Sequence, residues 1–298
     1  MFVSNSVSIA APIAIYDSGV GGLAITKALK TLLPQESFHY IGDTKNLPYG
    51  DKSEVELRSY LLQVVHFCLS KQYKLLVLGC NTVTAVADRF LPAYLQQMDN
   101  PIQVLNVIDP VITHLLEHKG DVHIGLIGTQ HTVRSGLYQA RLCATNLTLS
   151  TLATPLLAPM VEAWVDGKKL DQSAINDCLK QLPFQSLQVL IPACTHYLFL
   201  EKAFRNFFIK QFNTKIQIMD VAQLTARAVK AFVLANNLLN TTQKKVPDCF
   251  MATQQTVSLS RAVLHLFGEQ VVLLDLEKYV QSTVLDFEGT TNWAGGCA

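Results

Sequence analysis

Lys74-Leu75-Leu76-Val77-Leu78-Gly79-Cys80-Asn81-Thr82-Val83-Thr84 is the stretch from which the fold of this chain is read. Its apolar residues run without alternation to Leu78, as expected of a parallel strand covered by helices on both faces. A small residue ends the strand, and a thiol followed by two polar side chains comes next. Open α/β sheets bind ligands beyond the carboxyl ends of their strands, so Cys80 is expected to point into a site. The same phrase returns as Leu187-Gln188-Val189-Leu190-Ile191-Pro192-Ala193-Cys194-Thr195-His196.

Working outward, Pro12-Ile13-Ala14-Ile15-Tyr16 is a buried-type strand that runs into Asp17-Ser18-Gly19-Val20-Gly21-Gly22 and a helix to about Leu33. Phe38-His39-Tyr40-Ile41 is a second strand, ending at Gly42-Asp43. Amphipathic spacing predicts helices over 53–70, 82–98, 109–119, 171–181 and 198–212, and from Val221 to Leu238. One further helix and one apolar strand are expected within 250–275, and a loop-like tail from Gln281. His66 and Cys68 read as packing residues, and so do Cys143, Cys178 and Cys249, because a lone thiol behaves as a small apolar group.

The motifs repeat. Ala14-Ile15-Tyr16-Asp17-Ser18 answers Gly125-Leu126-Ile127-Gly128-Thr129 at an offset of 111, Pro48 answers Pro159 at the same offset, and Cys80 answers Cys194 at 114. Three similar offsets in one order predict two related halves of the α/β class. They would be related by pseudo-symmetry, with the two strand-end cysteines across a shared cleft.

Composition narrows the function. The 298 residues carry a net charge of +1 with no basic run, which disfavours nucleic acid as the main partner. The seven cysteines show no CxxC pair, so no zinc site is signalled. An odd, unpatterned set suggests reduced thiols in the cytosol. No Lys or Arg precedes Lys27, and no apolar run approaches the ~20 residues that span a bilayer. Neither a secretory signal nor a membrane segment is expected.

Two thiols facing one another suit one reaction in particular. A proton leaves a carbon beside a carboxylate on one face, and a new one arrives on the other. Thiolate and thiol fill the two roles and exchange them in reverse, and a free Cys pKa of about 8.5 is within reach of tuning. Stabilising the incipient carbanion requires donors at the carboxylate; Ser18, Asn81, Thr82, Thr195 and the amides of Tyr49-Gly50 are suitable. His196, two residues after Cys194, is a candidate acid–base assistant. Asp17 is a candidate either for the site or for capping the helix behind the glycines, and Glu162 reads first as an exposed helix residue and second as a support behind the site. A rival reading rests on Gly19, Gly21 and Ala24, which satisfy G-x-G-x-x-G/A between strand and helix, with Asp43 near the place of a ribose-binding acid. Asp17 opposes that reading, because its carboxylate would repel a pyrophosphate.

Tyr16-Asp17-Ser18-Gly19-Val20-Gly21-Gly22-Leu23, Asp43 to Pro48-Tyr49-Gly50, Cys80-Asn81-Thr82 and Cys194-Thr195-His196-Tyr197 together resemble glutamate racemase, of the cofactor-independent aspartate/glutamate racemases. The resemblance runs from about 12 to 280. It implies interconversion of L- and D-glutamate for peptidoglycan, with no cofactor and no metal, and aspartate as the sibling substrate. It implies Cys80 and Cys194 as the two bases, with Asp17 and His196 assisting. Ser18, Pro48, Tyr49, Gly50, Asn81, Thr82, Thr132 and Thr195 would hold the substrate beside Asp17 and His196. Also implied are two doubly wound parallel-sheet α/β domains, with expected boundaries of 1–104 plus 214–298 for the first and 105–213 for the second inserted into it, and a homodimer. Cys249 to Val280 resembles the longer members that respond to a cell-wall precursor. Gly79, Pro192-Ala193, Thr154 and Leu198 depart from the usual pattern without removing a catalytic group.

Overall fold

The computed structural model describes residues 7–117, 120–183, 186–212, 216–242, 245–268, 271, 273–277 and 279. The expected loop from Gln281, with Cys297, lies outside the described residues. The first run is β1 (Ile13–Asp17), α1 (Gly22–Leu32), β2 (Phe38–Gly42), α2 (Glu54–Ser70), β3 (Leu75–Leu78), α3 (Asn81–Leu95), β4 (Gln103–Asn106) and α4 (Asp109–Leu116). The second is β5 (His123–Gly128), α5 (Gln130–Ser135), α6 (Leu137–Leu142), β6 (Thr148–Ala153), α7 (Leu157–Val165), α8 (Gln172–Leu179), β7 (Val189–Ala193), α9 (Glu201–Phe212) and β8 (Gln217–Ile218). The chain closes with α10 (Val221–Ala235), β9 (Cys249–Ala252), α11 (Val257–Phe267) and β10 (Leu273–Asp275).

Two parallel sheets result, in the orders β10-β9-β2-β1-β3-β4 and β6-β5-β7-β8. The core of the first, β2-β1-β3-β4, has the same order as the whole of the second, with β1 matching β5 and β3 matching β7. The repeat read from sequence offsets is therefore a repeat of topology. Every residue of β1, β2, β3 and β7 is buried, which is why these strands read as unbroken apolar runs. Pro192 is tolerated inside β7 because β8 pairs only with Val189 and Leu190, leaving one side of Pro192 outside the ladder.

The expected cuts at 104/105 and 213/214 do not follow the sheets. The first falls inside β4, whose pairing with β3 runs to Asn106, and the second leaves β8 apart from its partner β7. The region 250–275 holds two strands, not one: β9 pairs with β2, and β10 with β9. Both are short and carry no alternation, which hid one of them. Helix starts carry their own signals: Ser53 and Glu56 form a capping box on α2, and Thr129, Asp220 and Thr256 cap α5, α10 and α11. His66 bonds the hydroxyl of Tyr94, and Cys68 is buried. Among the described residues, no helix is long and apolar enough to cross a membrane.

Candidate active site

Cys80 follows β3 after the single residue Gly79 and Cys194 directly follows β7, so the two thiols occupy equivalent strand ends. Their surroundings differ. Cys80 occupies the N-cap position of α3, with Ser18 Oγ at 3.8 Å from its sulfur. Cys194 leads into a 3-10 turn, Thr195–Leu200, where the sequence predicts an α-helix from 198; α9 begins only at Glu201. That tight turn brings His196 Nδ1 to 3.8 Å from Cys194 Sγ. On the far side of the ring, Nε2 lies 2.8 Å from Glu162 Oε1.

Glu162 is thus not the exposed helix residue expected. Its side chain retains 20% exposure and joins His196, and Val20 N donates to its Oε1 at 3.3 Å. A helical glutamate carries no sequence mark that distinguishes this placement. Burial opposes charge on His196, yet the hydrogen bonds and negative charge of Cys194 and Glu162 outweigh it and hold its pKa well above the ordinary value. Burial likewise pushes Glu162 up, but the bond and charge of His196, helped by Ser258 and Val20 N, bring it below the usual range.

Asp17 ends β1 and ties the halves together. Gly19 N donates to its Oδ1 and Thr195 Oγ1 to its Oδ2, each at 2.9 Å. It is fully buried, and burial raises its pKa more than the His196 charge and these donors lower it. Gly21 holds the N-cap position of α1 and makes no side-chain cap bond, while the backbone amide of Gly22, the first residue of that helix, is among the donors that lower Asp17. Burial, followed by the charge of Asp17, pushes the Cys80 thiol up to about 12. The charge of Cys194 contributes to the same rise.

The remaining expected residues gather at the same seam. Thr82 Oγ1 lies 2.9 Å from Thr129 Oγ1 and 3.4 Å from Thr132 Oγ1, joining α3 to α5. Thr129 caps α5, accepting from the backbone amide of Thr132. Sequence reasoning left Thr129 out of the site, although the repeat matches it to Ser18. Asn81 is buried, and its Oδ1 accepts from Tyr138 OH at 2.8 Å. Among the described residues its Nδ2 is the buried side-chain nitrogen or oxygen atom without a partner. Such an orphan calls for a ligand. The Tyr49 hydroxyl is engaged by Asp43 and Tyr16, which leaves its backbone and that of Gly50 as the donors on offer. Pro48, after a cis Leu47–Pro48 bond, is the N-cap residue of the turn that carries them. Gly50 abuts Thr129: a Cβ added there would stand 3.3 Å from Thr129 Cβ.

The glycine turn is filled from the other half of the molecule. A Cβ at Gly21 would lie 2.2 Å from Thr195 Oγ1, and one at Gly19 would lie 2.6 Å from Glu162 Oε1. These glycines admit protein side chains where a dinucleotide site would admit a pyrophosphate, and the rival reading fails on that point. Asp43 is engaged by Asn46, Tyr49 and Thr253. Among the described residues, no group of three or more His, Cys, Asp or Glu side chains is arranged to hold a metal ion.

Comparison with known proteins completes the picture. No family model matches the chain. The glutamate racemase of Limosilactobacillus reuteri is 34% identical over 231 residues, covering 77% of this chain and 83% of that protein. That of Bacillus cereus is 31% identical over 264 residues, covering 87% and 94%. The crystal structure of glutamate racemase from Thermus thermophilus in complex with β-chloro-D-alanine matches with a TM-score of 0.75 at 32% identity, over 91% of this chain and 99% of that one. Matched along most of their own lengths by relatives above 30% identity, and carrying both thiols at equivalent strand ends, the chain belongs to the glutamate racemase family.

Proposed function

We propose that this protein interconverts L- and D-glutamate by a two-base mechanism, with Cys80 and Cys194 as the bases, and so supplies D-glutamate for peptidoglycan. The observation that carries the reading is the pair of buried thiols at equivalent strand ends, Ser18 facing one and its neighbour Asp17 bonded to Thr195 beside the other. As thiolate, one sulfur takes the α proton; as thiol, the other delivers a proton to the opposite face. The electron pair left on the α carbon passes transiently into the adjacent carboxylate, which the unpaired amide of Asn81 and the hydroxyl of Thr82 are suited to hold.

The two wings prepare their sulfurs differently. His196 Nδ1 faces Cys194 Sγ and Glu162 braces the far side of its ring, so the imidazole is placed to exchange a proton with that sulfur. Cys80 is held as the thiol by burial and by Asp17. The ammonium group of a bound amino acid would offset the charge of Asp17 and ease ionisation of Cys80 when the direction reverses. A cytosolic location, in keeping with the free thiols among the described cysteines, belongs to the same proposal. So do a homodimer and a response to a cell-wall precursor.

The test is a circular-dichroism assay on D-glutamate and D-aspartate without added cofactor, run in deuterium oxide. The expected outcome is loss of optical activity with glutamate and deuterium at the α carbon. Cys80→Ser and Cys194→Ser should each lower turnover by at least ~10²-fold. Full activity in either variant would defeat the two-base scheme.

A further inference from the structure

Both thiols are only 6% exposed, so the resting site is shut. Two cavities lie along the seam between the halves, and neither is lined by Cys80 or Cys194. One, of about 290 Å³, lies between α1, the 195–200 turn and the start of α10. Its inner wall includes Tyr197, a fully buried ring whose hydroxyl donates to Thr154 O at 2.8 Å. The other, of about 320 Å³, lies between residues 50–54 and Arg89 on one side and residues 130–135 on the other. Gly50, part of its lining, abuts Thr129, and Thr129 meets Thr82, two residues from Cys80. Parting these small groups costs a few hydroxyl contacts, whereas parting the first wall displaces a packed aromatic.

We propose that the cavity between residues 50–54 and α5 is the vestibule through which the substrate dicarboxylate reaches the thiols, with Arg134 and Asp51 setting its local concentration in opposite senses. The inference rests on the racemase reading. The charges lining the vestibule divide into paired and unpaired. Arg89 Nη1 donates to Glu54 Oε2 at 2.9 Å, and its Nη2 reaches Ser135 O at 3.5 Å across the seam. Lys52 Nζ is 3.9 Å from Glu56 Oε1. His131 is held towards its neutral form by burial and by Arg89, against the pull of Glu54. Among the described residues, Arg134 and Asp51 are exposed and make no side-chain ion pair or hydrogen bond. Free charges at the mouth of a cleft raise or lower the local concentration of a charged substrate without touching the chemistry. Glutamate carries one net negative charge, so Arg134 enriches it and Asp51 depletes it.

The experiment compares Arg134→Glu and Asp51→Lys with the wild type, at about 10 mM and about 1 M salt, where the screening lengths are ~30 and ~3 Å. Lys210→Glu, on α9 and away from the cavity, repeats the charge change elsewhere. At low salt, KM should rise about fourfold in Arg134→Glu and fall about fourfold in Asp51→Lys, from Coulomb's law for a reversal at roughly 10 Å in water. The milder Arg134→Gln and Asp51→Asn should give about twofold in the same senses. kcat and the KM of Lys210→Glu should not move, and high salt should erase the shifts. KM moving the same way in both reversals, surviving high salt or matched by Lys210→Glu would overturn the vestibule. An inactive wild type would instead sink the racemase reading.

Discussion

At the residue scale, the chain Cys194–His196–Glu162 has the logic of a nucleophile, its base and an orienting carboxylate. Glu162 is one of the groups that raise His196, so removing its charge lets the imidazolium release its proton at lower pH. In Glu162→Gln the alkaline limb of the kcat/KM profile should move to lower pH, and kcat/KM at neutral pH should drop about tenfold or more. The sign for stability agrees. His196, raised in the folded state, stabilises below its unfolded pKa, and this is lost as pH rises through the folded value. Glu162, lowered, stabilises above about 4.5, and this is lost as pH falls through its folded value. Thermal unfolding of Glu162→Gln should therefore lose most, relative to the wild type, between those limits. An unchanged pH profile would remove Glu162 from the relay. His196 was legible in the sequence because it lies two residues from a strand-end thiol. Glu162 was not, because it arrives from a helix far along the chain.

At the element scale, strands were legible where burial on both faces makes a continuous apolar run. The turn after β7 was misread as helix because a 3-10 segment shares helical spacing over its first residues. The glycine turn before α1 shows how one local pattern carries two meanings. Its sequence fits a phosphate cradle, yet Thr195 and the backbone of His196 fill the space. Gly21→Ala tests this at the level of packing. The added carbon would lie 2.7 Å from His196 N, a backbone atom that cannot rotate aside. A loss of roughly 1–3 kcal/mol in chemical denaturation is expected, together with a large drop in racemisation as the turn carrying His196 shifts. A variant as stable and active as the wild type would show that the two halves stand further apart in solution.

At the scale of the whole molecule, the repeat and the α/β class were legible, whereas the domain limits were not, because β4 and β8 lie at the crossings between halves and carry few apolar residues. The closed seam makes a prediction of its own. A thiol reagent should modify exposed Cys143 first, with Cys80 and Cys194 reacting only when the halves part, and glutamate should slow them further. Labelling of either at the rate of Cys143 would mean that the resting seam is open. A final consequence comes from the unlike partners of the two sulfurs, a helix start for one and a histidine–glutamate relay for the other. Mirror-image substrates have identical free energies in water, so the equilibrium constant is pinned at unity. The ratio of the two specificity constants is pinned with it, at every pH and in every variant. The lopsided architecture can therefore surface only as matched changes in kcat and KM between the two directions, never as a net preference for one hand.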